Sequence, residues 1–266
     1  MKNWIPEQMD IISKNWSNVI KLYYPKIYPL WSDSQKHLRA LKEDWNKYNA
    51  VKYLNWKNVI NNKSNLIVLD LGAGTGWLSA YLSKFKSISK IYALDSDKKI
   101  LTEMLPEIVK NMGGIQSKIE PIIGLFSPLL VNDGNYDLIV ASSSIHHADN
   151  LFQLLQELRR VLKKGGKLLI LNETPTIFMK YLLNIIKIIL IILYKTIRKK
   201  VKEFEQTISA SYILYDPYLG DREYTFYHWN KAITQAGFKY EIIETPFFPY
   251  KKRRNQKTKL THFICY

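Results

Sequence analysis

Residues 66–77 read LIVLDLGAGTGW, and the elements they predict set the class of the whole chain. The first six residues are apolar except for Asp70, and they have strand length without polar alternation, which is typical of a strand buried on both faces. Three glycines follow, and a helical pattern opens at Trp77. A strand that leads through a glycine turn into a helix is the start of a βαβ unit.

The same alternation of apolar runs and helical segments continues along the chain. Further strands are predicted at residues 90–95, 119–123, 136–142 and 167–172. The last two predicted strands, 239–248 and 260–266, flank a basic turn and form a hairpin. Helices between buried strands imply a parallel sheet. We therefore predict an α/β fold with a doubly wound, mostly parallel seven-stranded sheet that ends in an antiparallel hairpin.

The N-terminal region is rich in tryptophan and tyrosine. Leu38, Leu41, Trp45 and Tyr48 have helical spacing. Prolines such as Pro25 and Pro29 divide this region into separate helices. We predict a helical N-terminal cap over residues 1–62 and a sheet domain over 63–266, with an insertion at about 174–223.

Composition limits the class of protein. The chain has 266 residues, 47% of them hydrophobic, which is enough for a substantial core. Its formal net charge of +16 favours an anionic partner, but lysines spread singly over solvent faces are the simpler explanation. Because the sequence shows no aromatic and basic RNA-binding module and no DNA-reading helix, nucleic acid is not the expected partner.

Cysteine usage and the first residues indicate the compartment. Cys265 is the single cysteine, which excludes an internal disulfide framework and a cysteine-rich zinc site. The opening residues, MKNWIPEQMD, lack the apolar core of a secretory signal. We therefore expect a reducing, cytoplasmic environment.

The glycine loop and a downstream acid predict a nucleoside site. Glycines at this turn let a ligand approach the backbone, and the helix N-terminus offers unpaired N–H groups. Asp95 ends the second strand, where a carboxylate can accept both hydroxyls of a ribose. The alternative is a tight turn with a helix-capping aspartate. The G-x-G-x-G spacing, preceded by Asp70, differs from the dinucleotide fingerprint and suits a cationic ligand.

Four segments resemble the successive motifs of class I S-adenosylmethionine-dependent methyltransferases, especially the small-molecule branch called type 11. They are VLDLGAGTGWLS, YALDSD, YDLIVASSSIHHADN and LRRVLKKGGKLLILNE. The resemblance is strong over residues 66–173, and the terminal hairpin agrees with the reversed last strand of that family. It implies S-adenosylmethionine as the cofactor.

The resemblance also implies roles for individual residues. Asp70 would help to hold the amino group of the cofactor, Asp95 would bind the ribose hydroxyls and Ser96 would lie beside the adenine. The loop would pass close to the amino-acid part and the ribose through Gly72, Ala73, Gly74, Thr75 and Gly76.

Two further contacts follow from the resemblance. Many relatives carry an acid after the third strand to meet the adenine amino group, but this chain has Leu125 and Phe126 there. A backbone contact or stacking by Phe126 is expected instead. Ala141 and Ser142, which end the fourth strand, would lie beside the sulfonium centre.

His146 and His147 follow the fourth strand. Adjacent residues at a strand end are expected to point apart, and a zinc site needs three convergent ligands, so no metal is predicted. Ligands bind beyond the carboxyl ends of parallel strands, which places the pair near the methyl donor, where a histidine can act as a general base. The alternative is a structural role at the strand end. The resemblance favours His147 over His146, and Asp149 is expected to cap the next helix.

The insertion contains an unusually apolar stretch, residues 174–204. Lys180, Asn184, Lys187 and Lys195 interrupt it, so we do not expect it to span a membrane. A lid over a hydrophobic acceptor site is favoured over contact with an anionic membrane surface, and core packing is the third alternative. The aromatic run 211–229 could line an acceptor site or pack against the N-terminal helices.

The sequence as a whole predicts S-adenosylmethionine-dependent methyl transfer to a small, partly hydrophobic acceptor. Two alternatives stay open: an RNA or protein methyltransferase, and a non-catalytic cofactor-binding or membrane-associated scaffold. No feature of the sequence indicates the oligomeric state.

Overall fold

The computed structural model describes residues 1–4, 18, 20–26, 28–48, 51, 53–60, 63–197, 207–208, 214–216, 220–246 and 259–266. Some segments named above lie outside these ranges, namely the basic turn at residues 251–258, the end of the apolar stretch at 198–204, and residues 211–213 and 217–219 of the aromatic run.

Helices occupy much of the chain before residue 66. They are α1 (Tyr28–Ser32), α2 (Ser34–Tyr48) and α3 (Trp56–Ile60). The helical spacing seen in the sequence therefore corresponds to α2, and Pro29 lies in the first turn of α1, where its missing N–H costs nothing.

The first half of the sheet alternates strands with helices. Its elements are β1 (Lys2–Asn3), β2 (Leu66–Leu71), α4 (Trp77–Ser83), β3 (Ile88–Asp95), a π-helical turn (Ile100–Met104) that continues into α5 (Leu105–Asn111), and β4 (Ile119–Ile123).

The second half contains the insertion and the hairpin. Its elements are β5 (Tyr136–Ser142), a 3₁₀ turn (Ile145–His147), α6 (Leu151–Val161), β6 (Leu162–Glu173), α7 (Phe178–Ile197), β7 (Thr207–Ile208), β8 (Leu214–Tyr215), α8 (Phe226–Gln235), β9 (Tyr240–Pro246) and β10 (Lys259–Cys265).

Eight of the described strands form one large sheet in the order β1-β4-β3-β2-β5-β6-β10-β9, and β7 and β8 form a separate antiparallel pair. Strands β1 to β6 are parallel to one another, whereas β10 runs antiparallel to both β6 and β9. The predicted α/β class, the doubly wound sheet and the terminal hairpin are confirmed. The sheet has eight strands rather than seven, because β1, which lies inside the N-terminal region predicted as a helical cap, pairs with β4 and forms one edge of the sheet.

Helices cover both faces of the sheet. On one face α6 and α8 bury Leu155 and Trp229, and on the other α4 and α5 bury Leu78 and Val109. The core strands carry apolar side chains on both faces because both are covered. This packing leaves the carboxyl ends of β2 to β6 along one edge of the sheet.

Helix α7 carries most of the apolar stretch in the insertion. Among the described residues, no helix is both long and apolar enough to cross a bilayer.

Candidate active site

A cavity of about 900 Å³ opens at the carboxyl ends of the parallel strands. Ligands bind at this edge in open α/β sheets. Its lining includes residues from the glycine loop, from the ends of β3 to β6 and from the N-terminal helices. Of the predicted site residues, those that line it are Gly72, Ala73, Gly74, Thr75, Asp95, Ser96, Leu125, Phe126, Ser142 and His147.

The glycine loop follows β2 and passes directly beneath the cavity. Gly72 has a φ of 68°, and a Cβ placed on it would lie 2.5 Å from Cβ of Ser144. Gly74 has a φ of 51°, and its Cβ would lie 3.4 Å from the ring of Trp31. A side chain at Gly72 would therefore be strained and would collide with the loop after β5.

Asp95 lies at the end of β3 with its carboxylate oriented by backbone donors. The Gly74 N–H donates to Oδ2 over 2.8 Å, and the Asp97 N–H donates to Oδ1 over 2.9 Å. Burial raises the pKa of Asp95 to about 6. A carboxylate has about four lone-pair sites, so this one can also accept from a ligand hydroxyl.

Three of the predicted cofactor residues do not line the cavity. Asp70 is buried, accepts a hydrogen bond from the Ser79 hydroxyl over 2.6 Å, and has a pKa raised by burial to about 7. A Cβ on Gly76 would lie 2.6 Å from Leu105, so this glycine allows α4 to approach α5. Ala141 is fully buried within β5. Contacts of these residues with the cofactor stay predictions.

The N-terminal helices contribute a wall that sequence reasoning missed. Trp31, His37 and Leu41 line the cavity. Nε2 of His37 lies 2.7 Å from Oγ1 of Thr75. Burial lowers the pKa of His37 to about 4, so the ring is neutral at neutral pH and its Nε2 can accept a hydrogen bond from the Thr75 hydroxyl. The high tryptophan and tyrosine content of the N-terminal region was the one sequence signal that could have indicated this wall.

Backbone strain is concentrated where β5 and β6 end. Ser143 and Asn172 both line the cavity, and their φ angles are 49° and 59°. The Asn172 amide donates to the Ser142 hydroxyl over 2.8 Å, and the Ser143 hydroxyl donates to the Asn172 carbonyl over 2.9 Å. Non-glycine residues in this conformation are typical of functional sites.

The adjacent histidines do not diverge, so that expectation is wrong. Their ring centroids lie 4.4 Å apart, because residues 145–147 form a 3₁₀ turn instead of continuing the strand. Candidate ligand atoms of His146, His147 and Asp221 lie within 4.8 Å of one another. The prediction that no metal binds was based on histidines that point apart, and these two do not. The absence of a metal therefore stays a prediction, without that geometric support.

Acidic neighbours surround His146. Its Nδ1 lies 2.9 Å from Oε2 of Glu173, and its Nε2 lies 3.5 Å from Oδ1 of Asp221. Burial opposes ionisation of the ring, but the two carboxylates more than offset it, so the pKa of His146 rises to about 10. Oε1 of Glu173 is buried without a hydrogen-bond partner in the described part of the chain. This ring is held as a cation and does not line the cavity.

His147 faces the cavity, and residues of the insertion surround it. Its Nδ1 lies 3.2 Å from Oδ1 of Asp221. The Arg222 guanidinium donates to the His147 carbonyl over 2.8 Å and pairs with Asp149. Asp149 therefore does not cap α6, although the sequence predicts it as the cap. Asn150 caps it, accepting a hydrogen bond from the Gln153 N–H over 3.1 Å.

Only part of the insertion reaches the site. Gly220 and Arg222 line the cavity, whereas within the described residues none from α7 does. The role of the insertion as a lid stays a prediction, and it concerns the segment around Arg222 more than the long helix.

A family model described as a methyltransferase domain matches residues 69–170, which run from β2 to β6 and include the loop, Asp95 and both histidines. The chain contains a class I S-adenosylmethionine-dependent methyltransferase domain. The cofactor predicted from the resemblance is thereby confirmed for this domain.

Curated relatives match part of the chain. The sarcosine/dimethylglycine N-methyltransferase of Aphanothece halophytica is 30% identical over 112 residues, which is 41% of this chain and 38% of that protein. The ubiquinone/menaquinone biosynthesis C-methyltransferase UbiE of Cronobacter sakazakii is 31% identical over 111 residues, which is 42% of this chain and 44% of that protein. The matches span less than half of either relative.

A solved structure shares the fold of the methyltransferase domain. The YcgJ protein from Bacillus subtilis superposes with a TM-score of 0.53 at 14% identity, covering 79% of this chain and 94% of that one. At this identity the similarity concerns the fold alone.

The residues present fit S-adenosylmethionine. Gly72 and Gly74 leave no side chain between the loop backbone and the cavity, and the oriented Asp95 carboxylate suits a ribose diol. Leu125 and Phe126 offer an apolar surface to the cavity just after β4. Asp221, Arg222 and Glu173 were missed as neighbours of the histidines, since the sequence shows them only as parts of an aromatic run and a strand end.

Proposed function

We propose that the chain transfers a methyl group from S-adenosylmethionine to a small, partly hydrophobic acceptor. The observation that carries this proposal is the continuity of one cavity from Asp95 to His147. Its volume of about 900 Å³ lies in the upper range for small-molecule sites, which leaves room for an acceptor beside the cofactor. Two relatives support a small acceptor, because their names refer to sarcosine and to quinone biosynthesis.

The residues of the chain act mainly by binding and orientation. The cofactor, when bound, supplies a methyl group already activated on a sulfonium. The glycine loop and Asp95 hold the nucleoside end, and the walls formed by Trp31, Phe126 and Leu154 exclude water from the reacting atoms. Holding an acceptor in line with the methyl group can contribute up to roughly 7–11 kcal/mol.

His147 is the proposed general base for an acceptor that must lose a proton. It lines the cavity beside Asp221, whereas His146 is held as a cation between two carboxylates. A well-placed base typically contributes about 10²–10⁴-fold. We assign His146 a supporting role, because it fixes the turn that carries His147.

Titration calorimetry with S-adenosylhomocysteine tests the cofactor site. Loss of a hydrogen bond to a charged group costs about 1.5–3 kcal/mol, so Asp95→Asn should weaken binding by roughly 10- to 100-fold. Glu103→Gln is the matched control, because this exposed carboxylate lies outside the cavity. Equal affinity of Asp95→Asn and the parent would contradict the assignment.

A methyl-transfer screen against lipid, phenolic, sugar and RNA extracts tests the acceptor class. We expect labelled small molecules, and His147→Gln should lower turnover while leaving the affinity for S-adenosylhomocysteine unchanged. Labelling of RNA alone would contradict the small-molecule proposal but not the cofactor site. Equal loss of turnover, affinity and stability would return His147 to a structural role.

A further inference from the structure

Helix α7 presents a long apolar face to solvent. Leu183 and Leu190 are each 60% exposed. They belong to a set of large apolar side chains on α7 that are more than a third exposed: Phe178, Met179, Leu182, Leu183, Ile186, Ile189, Leu190, Ile192, Leu193 and Tyr194. Contiguous exposed apolar surface of this kind marks an interaction site rather than ordinary surface.

The opposite side of α7 packs against the rest of the domain. Tyr181 and Ile188 are buried and form a small cluster with Leu214. The Asn184 amide on the same side donates to Glu223 over 3.2 Å. At about 100° per residue, Ile186 and Leu190 lie roughly opposite this packed side. The exposed face is therefore additional to the one that attaches the helix to the domain.

Positive charge lies along one edge of the exposed face. Lys180 and Lys187 are both exposed and seven residues apart, so they lie on the same side of the helix. The chain carries a formal net charge of +16. A broad apolar face bordered by lysines is the pattern of a helix that lies in the plane of a membrane interface.

We propose that residues 178–193 of α7 bind the surface of an anionic lipid bilayer, with the helix lying flat and its apolar face in the acyl boundary. Twenty residues give this helix a length of about 30 Å. In this arrangement the helix lies on the surface of the bilayer and does not cross it.

A second copy of the chain is a weaker occupant for this face. Two copies that each carry +16 repel one another, whereas anionic headgroups attract the same charge. The lysines at the edge of the face would approach like charges in a pair of copies, but they would approach phosphates at a bilayer.

Sedimentation with vesicles of phosphatidylglycerol and phosphatidylcholine in equal amounts tests the apolar face. The parent protein should bind, and Leu183→Ser with Leu190→Ser should lower the partition constant at least about tenfold, since both leucines leave the bilayer. The matched control is Leu22→Ser with Leu130→Ser, which removes two leucines that are 70% and 57% exposed elsewhere. Equal binding by both pairs would overturn the proposal.

The charged edge is tested separately. Lys180→Gln with Lys187→Gln should weaken binding to the anionic vesicles by about fivefold for each lysine, with no comparable change on pure phosphatidylcholine. Lys57→Gln with Lys110→Gln, two exposed lysines elsewhere, is the control. Uniform losses for both pairs would overturn the role of these two lysines.

Two further measurements separate a failure of lipid binding at α7 from other effects of the substitutions. Thermal unfolding and S-adenosylhomocysteine binding should be unchanged in the α7 variants, which separates failure at this surface from failure at the cofactor site. If ultracentrifugation without lipid shows a dimer that Leu183→Ser with Leu190→Ser dissociates, and vesicles bind no protein, then the face is an interface between copies and the proposal is wrong.

Discussion

Gly72 determines how closely the loop after β5 can approach the glycine loop. Its φ of 68° and the position of Ser144 both exclude a side chain. Ser144 is itself held in place, because its hydroxyl donates to the Leu71 carbonyl over 2.8 Å. The wall of the cavity at this point therefore consists of two segments in direct contact.

Gly72→Ala should destabilise the protein more than Gly113→Ala. Both glycines have similar positive φ angles, 68° and 66°, so each variant loses about 1–2 kcal/mol from backbone strain. A Cβ on Gly113 would meet nothing within 4 Å, whereas one on Gly72 would collide with Ser144, which adds about 1–3 kcal/mol. Urea unfolding measures both, and equal losses would show that the loop can move away from Ser144.

His146 makes the stability of the protein depend on pH. Its pKa is raised from 6.5 to about 10, so between these values the folded chain binds more protons than the unfolded chain. The stabilisation is complete below pH 6.5 and is lost as the pH rises towards 10.

Between pH 6.5 and 9 the free energy of unfolding should fall less in His146→Gln than in the parent, by an amount on the order of 2 kcal/mol. Urea titrations at both pH values measure this difference. His37→Gln is the control, because the pKa of His37 is lowered to about 4 and its contribution changes below pH 6.5. Identical pH slopes in His146→Gln and the parent would refute the ion pair with Glu173 and Asp221.

At the scale of elements, two adjacent residues at the start of α6 have different roles: one caps the helix and the other forms an ion pair. Asn150 satisfies the free N–H of Gln153, while Asp149 is 97% exposed and pairs with Arg222 of the insertion. The sequence DN offers two good capping residues, and propensity does not distinguish them.

Asn150→Ala should lower the free energy of unfolding by about 1 kcal/mol, the usual cost of losing a helix cap. Asp149→Ala should cost less, because an ion pair with one fully exposed partner contributes little. Chemical denaturation of the two variants measures both changes in the free energy of unfolding. A larger loss of stability in Asp149→Ala than in Asn150→Ala would identify Asp149 as the cap.

Most strands of the sheet were predictable from the sequence. Strands β2 to β6 were found because their burial on both faces leaves uninterrupted apolar runs, and the hairpin was found from its basic turn. Strand β1 was missed, since Lys2 and Asn3 are two polar residues without a pattern. Its pairing depends on the exposed edge of β4, which is distant in sequence.

At the scale of the whole molecule, the cavity joins parts of the chain that are far apart in sequence. Trp31 and His37 lie above the glycine loop, and Gly220 and Arg222 lie beside His147. Ligand binding should therefore affect the N-terminal helices as well as the methyltransferase domain.

Hydrogen exchange with and without S-adenosylhomocysteine tests this coupling. Amides in residues 31–41 and 72–77 should exchange more slowly in the presence of the ligand, because both segments line the cavity. Amides of α8, none of which lines it, should be unaffected. Protection confined to residues 72–77 would show that the N-terminal helices do not cover the bound cofactor.

Short-range features of this protein follow from the sequence, and long-range contacts do not. The glycine loop and the placement of Asp95 at the end of β3 depend on turns and spacing within about thirty residues, where local geometry limits the chain. The surroundings of the histidines depend on Arg222, 75 residues from His147, and on Glu173, 27 residues from His146. Such distances allow many arrangements, and packing selects one. The same packing turned one side of α7 inward and left its apolar opposite side exposed, a choice that the nearly uniform apolar pattern of that helix does not encode.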